Sequence, residues 1–531
     1  MLYNMQIIDK RHNINYYSCI VTRFRGIAMK ISLSSTRPAG YAFLLSKYEI
    51  TGMPNWHVSY VSVNTTHRIE MHTGFIKETF SAKYWPGDSP GNHLEFALKY
   101  DGVNLSLLKQ IFNLIPKEVI EYIKSKPTGK YSRRIWFFYE FLTGELLPID
   151  DIKQGNYVEA LESNKYFTVS NAENSTRHRV VNNLLGAREF CPVIRKSENL
   201  QKAVSLDLYH RVKDITMSYP TELIKRALNY LYKKETKSSF EIENIKPSSS
   251  RIEKFITSLE LAGKEDYCNK DLLIKLQKLI VDPRFKNNNY RDTQNYVGQS
   301  VSYQNELIHF VCPKPEDVDD LMRGLIIAHE KMKNGNVPPV IHAAAIAYGF
   351  VYIHPFDDGN GRIHRFLIHN ILSIRNVVPQ GLMFPVSAVM LKNPSEYDAS
   401  LEGFSRPLLS FVEYKLDSLG EMTVGNNTKI FYKYIDMTIQ AEYLYDFILQ
   451  TIDEELINEL DFLINYDKTK TKIQGVIDMP DRLIDLFIRV CIQNSGQLSN
   501  SKRESHFNFL SEEELLAMEN AIKESYNPKL K

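Results

Sequence analysis

No stretch of this sequence holds the roughly 18 consecutive apolar residues that a membrane-spanning helix requires, so no transmembrane segment is expected. The apolar stretch at the N-terminus is short and ends at Asp9, Lys10 and Arg11; the next, Cys19 to Val21, is cut off by Arg23 and Arg25. Neither makes the hydrophobic region of a secretory leader. Met29 stands as an alternative start. Cysteine is scarce: Cys19, Cys191, Cys268, Cys312 and Cys491 are scattered, odd in number and never spaced C-x-x-C. That excludes a disulfide framework and a cysteine zinc site, and it fits a reducing cytoplasm. An excess of one charge is missing too. Lys plus Arg number 65 against 63 Asp plus Glu, a net +2 that provides no overall attraction to nucleic acid or an anionic membrane. Internal repeats and low-complexity tracts are also absent.

The chain has 531 residues, too many for one small core, and two to four domains are expected. Residues 1–200 read as a mixed α/β region. His57 to Val63 is β-branched and partly alternating, as a half-buried strand would be. Trp85 to Gly91 is rich in turn residues, Leu107 to Ile115 has helical apolar spacing, and Pro116 is placed to start a second helix. No motif in this region carries chemistry. From about 200 the chain reads as mainly helical: a helix after Pro220, a break at Pro247, a hairpin within 296–311, and an amphipathic helix from Asp317 to Met332. Two helices around a glycine-rich turn occupy 338–376. Gly425-Asn426-Asn427 reads as a linker, and residues 411–531 as a helical C-terminal region with a small basic cluster at Lys502-Arg503.

The chemistry is concentrated in His354-Pro355-Phe356-Asp357-Asp358-Gly359-Asn360-Gly361-Arg362-Ile363-His364-Arg365. Val340 to Ile353 before it is apolar and alanine-rich, the pattern of a buried helix. Pro355 disfavours helical geometry at His354, which places that histidine at the helix end. Gly359 and Gly361 permit a tight turn whose amides converge into an anion nest. A second helix then begins near Arg362, and its N-terminus adds unpaired N–H groups. Ile363, Leu367, Ile371 and Ile374 form its buried stripe. Arg362 and Arg365 are three apart and share a face, which suits a polyphosphate. Asp358 in this cationic setting suits Mg²⁺, and His354 suits a general base acting on a hydroxyl. Each feature alone has a plainer reading: a structural histidine, an ordinary turn, or Asp357 and Asp358 as helix caps. The ordered set within one short segment favours phosphate-centred transfer. No Lys-Ser/Thr follows the glycines, so this is not a P-loop.

The segment resembles the Fic motif, His-Pro-Phe-x-Asp/Glu-Gly-Asn-Gly-Arg-x-x-Arg, at every defined position. The similarity extends through Tyr290-Arg291, Val297-Gly298 and Cys312-Pro313-Lys314-Pro315, over roughly 200–410. The resemblance implies a mainly α fold: an all-helical Fic core (201–410) with a short β-hairpin flap at 296–311 that holds the target by strand addition. It implies ATP as substrate, Mg²⁺ on Asp358, and His354 as the base on a target hydroxyl. Phe356 would anchor the loop, Gly359, Asn360 and Gly361 would cradle phosphates, and Arg362 and Arg365 would engage phosphate oxygens.

The family often carries an inhibitory Ser/Thr-x-x-x-Glu-Gly/Asn motif. Ser239-Phe240-Glu241-Ile242-Glu243-Asn244 fits it, and on a helix Ser239 and Glu243 would share a face. The resemblance implies that Glu243 pairs with Arg365 and blocks seating of the ATP γ-phosphate. Ser249 to Glu253 fits less well, because Lys254 stands where Gly or Asn is required. The expected activity is regulated transfer of AMP to a hydroxyl side chain of a target protein. The alternatives are AMP removal at the same site, a DNA-binding regulator built on Lys502-Arg503, and a metal hydrolase of His354, Asp358, His364 and His369. The last lacks i, i+4 histidine pairing. An apolar helical domain would also be able to form a homodimer.

Overall fold

The computed structural model describes residues 36–302, 305–379 and 382–526. Cys19 and Met29 lie outside the described residues. The chain divides into two compact units that interleave along the sequence. The first takes residues up to 206, 243–377 and 393–446; the second takes 207–242, 378–392 and 447 onward.

The first unit opens with a four-stranded sheet. Strand His57–Ser62 lies between Thr36–Pro38, to which it is antiparallel, and Phe75–Ser81, to which it is parallel; His67–His72 forms the far edge. Helices Leu105–Leu114, Pro116–Ser125 and Lys130–Thr143 follow, and Pro116 sits in the first turn of its helix, where its missing N–H costs nothing. Leu107, Ile111, Phe112, Ile135 and Trp136 make a dry core.

Helices Ser249–Leu261, Lys270–Ile280, Pro315–Asn334, Pro339–Ile353, Asn360–Ile374 and Pro394–Leu408 form the helical body of the same unit. Strands Tyr296–Ser302 and Asn305–Val311 pair as an antiparallel hairpin with register shifts at Val297/Gly298 and Ser300/Ser302. The Pro339–Ile353 helix is buried on nearly every side, as its alanine-rich composition requires. The first 200 residues are joined to this body. Phe190 packs against Gly349, where an added Cβ would come within 2.6 Å of its ring. Backbone hydrogen bonds also tie the first 200 residues to the segment 433–437 of the same unit: Cys191 N–H to Lys433 O (2.8 Å), Val193 N–H to Ile435 O (2.9 Å) and Met437 N–H to Val193 O (2.9 Å).

In the second unit, helix Thr221–Glu241 carries the buried Glu235, which accepts from Ser387 N–H at 2.8 Å and caps the Val386–Lys392 helix. Lys234 pairs with Glu455 at 2.7 Å. A separate core of Phe487, Ile488, Met518 and Ile522 closes the C-terminal helices. Arg503, on the short helix Asn500–His506, pairs with Glu512 at 2.6 Å, so half of the basic pair there is neutralised. Cys191, Cys268, Cys312 and Cys491 are buried free thiols. Among the described residues no helix is long and apolar enough to cross a membrane.

Candidate active site

His354 caps the Pro339–Ile353 helix in the left-handed region, at φ 52° and ψ 59°. Pro355 keeps the helix from continuing, and the left-handed cap turns the chain out of it. The half-buried imidazole has its Nδ1 3.1 Å from Val351 O. A carbonyl only accepts, so Nδ1 carries the proton and Nε2 is left with its lone pair. Burial and the nearby Arg291 charge push the His354 pKa down to about 4, against the opposing pull of Val351 O and Asp358. The ring is therefore neutral, and able to accept a proton, throughout the physiological range.

The loop after His354 is held by its own residues and by side chains from far away in sequence. Phe356 is fully buried, with ring centroids 5.7 Å from Tyr290 and 6.3 Å from Phe350. Asn360 folds back on the loop: its Oδ1 accepts from Phe356 N–H at 3.0 Å and its Nδ2 donates to Phe356 O at 2.7 Å. Its side chain thus closes the turn, and the cradle itself is backbone. Gly359 stands at φ 91°, and an added Cβ there would meet Val281 at 2.8 Å. Both facts require glycine.

Sequence reasoning gave no role to the residues that brace this loop from outside. Arg291 is 3% exposed and donates to four carbonyls: His354 O through Nε (2.7 Å), Thr293 O through Nη1 (2.6 Å), Pro313 O through Nη2 (2.6 Å) and Pro355 O through its own N–H (2.8 Å). Asn287 donates to Asp357 Oδ2 at 2.6 Å, and Gln277 donates to Asp358 O at 3.3 Å. Tyr290-Arg291 was visible as a pair of residues, but nothing local marks an arginine as a clamp on carbonyls some sixty residues later.

The second helix begins at Asn360, two residues ahead of Arg362. Ile363, Leu367 and Ile371 are fully buried, and Ile374 is half-buried. Arg362 and Arg365 are 0% and 2% exposed, so their charges need partners. Glu243 provides them. Its Oε1 lies 2.8 Å from Arg365 Nη2 and its Oε2 2.7 Å from Arg362 Nε. The expected pairing involved Arg365; the arrangement is a two-arginine clasp. Glu243 Oε1 also lies so near Gly361 that a Cβ there would approach it to 2.5 Å. A carboxylate thus sits on the glycine turn where an anion nest would hold phosphate.

One sequence expectation requires correction. Ser239 and Glu243 do not share a helical face, because the helix ends at Glu241 and Glu243 lies in the turn beyond it. Asn244 at φ 56° closes that turn in the left-handed conformation. Ser239 is buried within the helix.

Asp358 fits a Mg²⁺ ligand of the kind that supplies one carboxylate oxygen and leaves the remaining positions to phosphate and water. Its Oδ1 accepts from Gly359 N–H (2.6 Å) and Arg362 Nη2 (2.7 Å), while Oδ2 makes no hydrogen bond among the described residues. The hydrolase set does not assemble. His364 is fully buried between the rings of Tyr348 and Tyr397, and burial pushes its pKa down to about 3. The metal-spaced group among the described residues is elsewhere, at Asp266, His329 and Glu330.

Comparison with known proteins gives the same location. Residues 267–372 match the Fic/DOC family. The chain is 30% identical over 158 residues to a protein adenylyltransferase Fic from Drosophila grimshawi, covering 29% of each chain. It is 32% identical over 161 residues to one from Culex quinquefasciatus, covering 29% of this chain and 28% of the relative. The chain therefore spans less than a third of the length of these curated relatives. A solved Fic family protein from Desulfovibrio desulfuricans G20 is similar at 18% identity and a TM-score of 0.34, covering 57% of this chain and 86% of that one.

Proposed function

We propose, on the premise that residues 267–372 are a Fic/DOC family domain, that this chain is a protein adenylyltransferase held in check by Glu243. The observation that carries the reading is one lone pair, His354 Nε2, left uncommitted in the same short segment as two buried arginines that a carboxylate now pairs with. The target hydroxyl oxygen attacks the α-phosphorus of ATP, its proton passes to His354 Nε2, and pyrophosphate leaves with the electrons of the broken P–O bond. Arg362, Arg365 and the N–H groups around Gly361 hold the departing phosphates, where charge grows as the bond breaks. Mg²⁺ on Asp358 would neutralise phosphate charge. The hairpin Tyr296–Ser302/Asn305–Val311 offers strand edges to a target segment.

Glu243 competes for this site. Its carboxylate forms ion pairs with both buried guanidinium groups and lies against Gly361, on the side that the terminal phosphate needs. Charge-assisted bonds of this kind contribute about 1.5–3 kcal/mol each, enough to restrain ATP seating without forbidding it.

The test is intact-protein mass spectrometry after incubation with ATP and Mg²⁺, with candidate target proteins present. Glu243→Gly should add AMP to protein at least about ten times faster than wild type, and His354→Ala should be slower than wild type by about 10²–10⁴-fold. Equal rates in wild type and Glu243→Gly would remove the brake from the reading. Loss of AMP from a pre-modified protein, with no addition in any variant, would replace transfer by removal.

A further inference from the structure

Away from the His354 loop, the first unit holds a cavity of about 690 Å³ between the Leu105–Leu114 helix, the end of the Lys130–Thr143 helix and the segment 410–434. That size falls in the range of small-molecule sites, roughly 300–1,000 Å³. Its charge is unlike that of the chain as a whole, which is nearly neutral. Lys109, Arg188, Lys429 and Lys433 line it, against the single carboxylate of Glu413 on its exposed rim.

The cations divide into two kinds. Lys429 pairs with Asp317 (3.2 Å) and Asp320 (2.9 Å), and Lys433 with Asp320 (3.2 Å). Those two lysines are neutralised. Arg188 gives its Nε–H to Phe141 O at 2.7 Å, a bond to a neutral carbonyl that leaves the positive charge uncompensated. Lys109 makes no hydrogen bond or ion pair among the described residues, although it is half-buried. Burial and the charges of Arg188 and Lys433 push its ammonium pKa down, with Glu145 acting only in part against them. Two cations without a carboxylate partner lining one concave site favour an anion of two charges. Gln110, Asn113 and Thr143 add neutral hydrogen-bonding groups, and the half-buried Phe411 ring, 5.9 Å from Phe431, adds an apolar wall.

The geometry points to a second ligand site: this cavity binds a phosphate monoester, with Lys109 and Arg188 on the phosphate and Phe411 beside the organic part. None of its lining residues belongs to the His354 site, so the inference stands or falls independently of the transferase reading. An acidic protein segment would need the same charges, but the site is a cavity of small-molecule size lined on one side by aromatic rings.

The test is isothermal titration of the full chain with inorganic phosphate, AMP and a hexaglutamate peptide. Wild type should bind phosphate and AMP. Lys109→Gln should weaken both at least about ten-fold, while Lys109→Arg restores binding and a matching melting curve shows that each variant is folded. Arg362→Ala, altered in the other site, should still bind. Phe411→Ala should weaken AMP and leave inorganic phosphate unchanged; AMP binding unchanged by Phe411→Ala would overturn the monoester in favour of free phosphate. Equal binding by wild type and Lys109→Gln, loss in Arg362→Ala instead, no binding of either phosphate probe, or tighter binding of hexaglutamate would overturn it.

Discussion

His342 and His354 stand at opposite ends of one apolar helix, Pro339–Ile353, and their surroundings depress the basicity of both. Their ring nitrogens are used differently. Arg375 Nη1 lies 3.0 Å from His342 Nδ1, and a guanidinium has only donors, so Nδ1 must accept. His342 Nε2–H then donates to His329 Nδ1 at 3.1 Å, and His329 Nε2–H donates to Asp266 Oδ2 at 2.8 Å. Every nitrogen in this chain is committed, and both rings must be neutral. His354 commits one nitrogen to Val351 O and keeps the other. A low pKa is therefore no mark of a catalytic histidine in this protein. What separates the proposed base from His342 is its uncommitted Nε2. The same arithmetic disfavours a metal at Asp266, His329 and Glu330. Metal on His329 Nε2 would leave the proton on Nδ1, which would then face the N–H of His342.

The sharpest way to break this contrast is to exchange the roles of the two ends. His354→Ala should lower AMP transfer by about 10²–10⁴-fold, the usual contribution of a general base, whereas His342→Phe should leave the rate per folded molecule within about two-fold. Substantial transfer by His354→Ala would mean that the free nitrogen is not the base. Next in size is the clamp on the His354 end. Arg291→Ala releases the carbonyls of His354, Thr293 and Pro313, keeping only its backbone bond to Pro355, and should lower kcat about 10²-fold with a smaller change in KM, since misplacing a catalytic group by about 1 Å costs that much. A change in KM alone would make Arg291 a binding residue.

The structural end should answer in stability. Arg375→Ala leaves the buried His342 Nδ1 without its donor and should cost about 1–3 kcal/mol in urea unfolding, with the rate per folded molecule unchanged. The smallest effect is in pH. His342, His354 and His364 all have folded pKa values below the ordinary 6.5. Their neutral burial stabilises fully above pH 6.5, and the contribution is lost as pH falls towards the folded values, because the unfolded chain takes up the protons first. Each should cost about 1 kcal/mol between pH 6.5 and 5.5. His57 works in the opposite sense, since Asp101 and Glu78 outweigh its burial and raise its pKa. Urea unfolding of wild type and His342→Phe at both pH values isolates one share: the variant should lose about 1 kcal/mol less. Parallel pH dependence in the two proteins would show that folding leaves the His342 pKa unchanged.

Much of the local geometry was legible beforehand. The helix end at His354, the turn at Gly359 and the stripe of Ile363, Leu367 and Ile371 follow from residues within a few positions of one another. So do the helix starts after Pro116 and Pro220. The shared face of Ser239 and Glu243 was misread because helical spacing was carried two residues too far, past an end closed by a left-handed Asn244. Arg291, Asn287 and Gln277 were missed for a different reason: each acts on backbone or carboxylate groups 63 to 81 residues away in sequence.

By itself, the sequence determined where the backbone must bend and which short segment holds His354, the turn and the two arginines. Proline, glycine and apolar periodicity act over a single helical turn, so their consequences are local. Only the tertiary structure decided which nitrogen of His354 stays free, which two guanidinium groups clasp Glu243, and which lysine is left without a carboxylate. Those outcomes depend on the direction of hydrogen-bond donors across packed helices, and direction is set when the core closes.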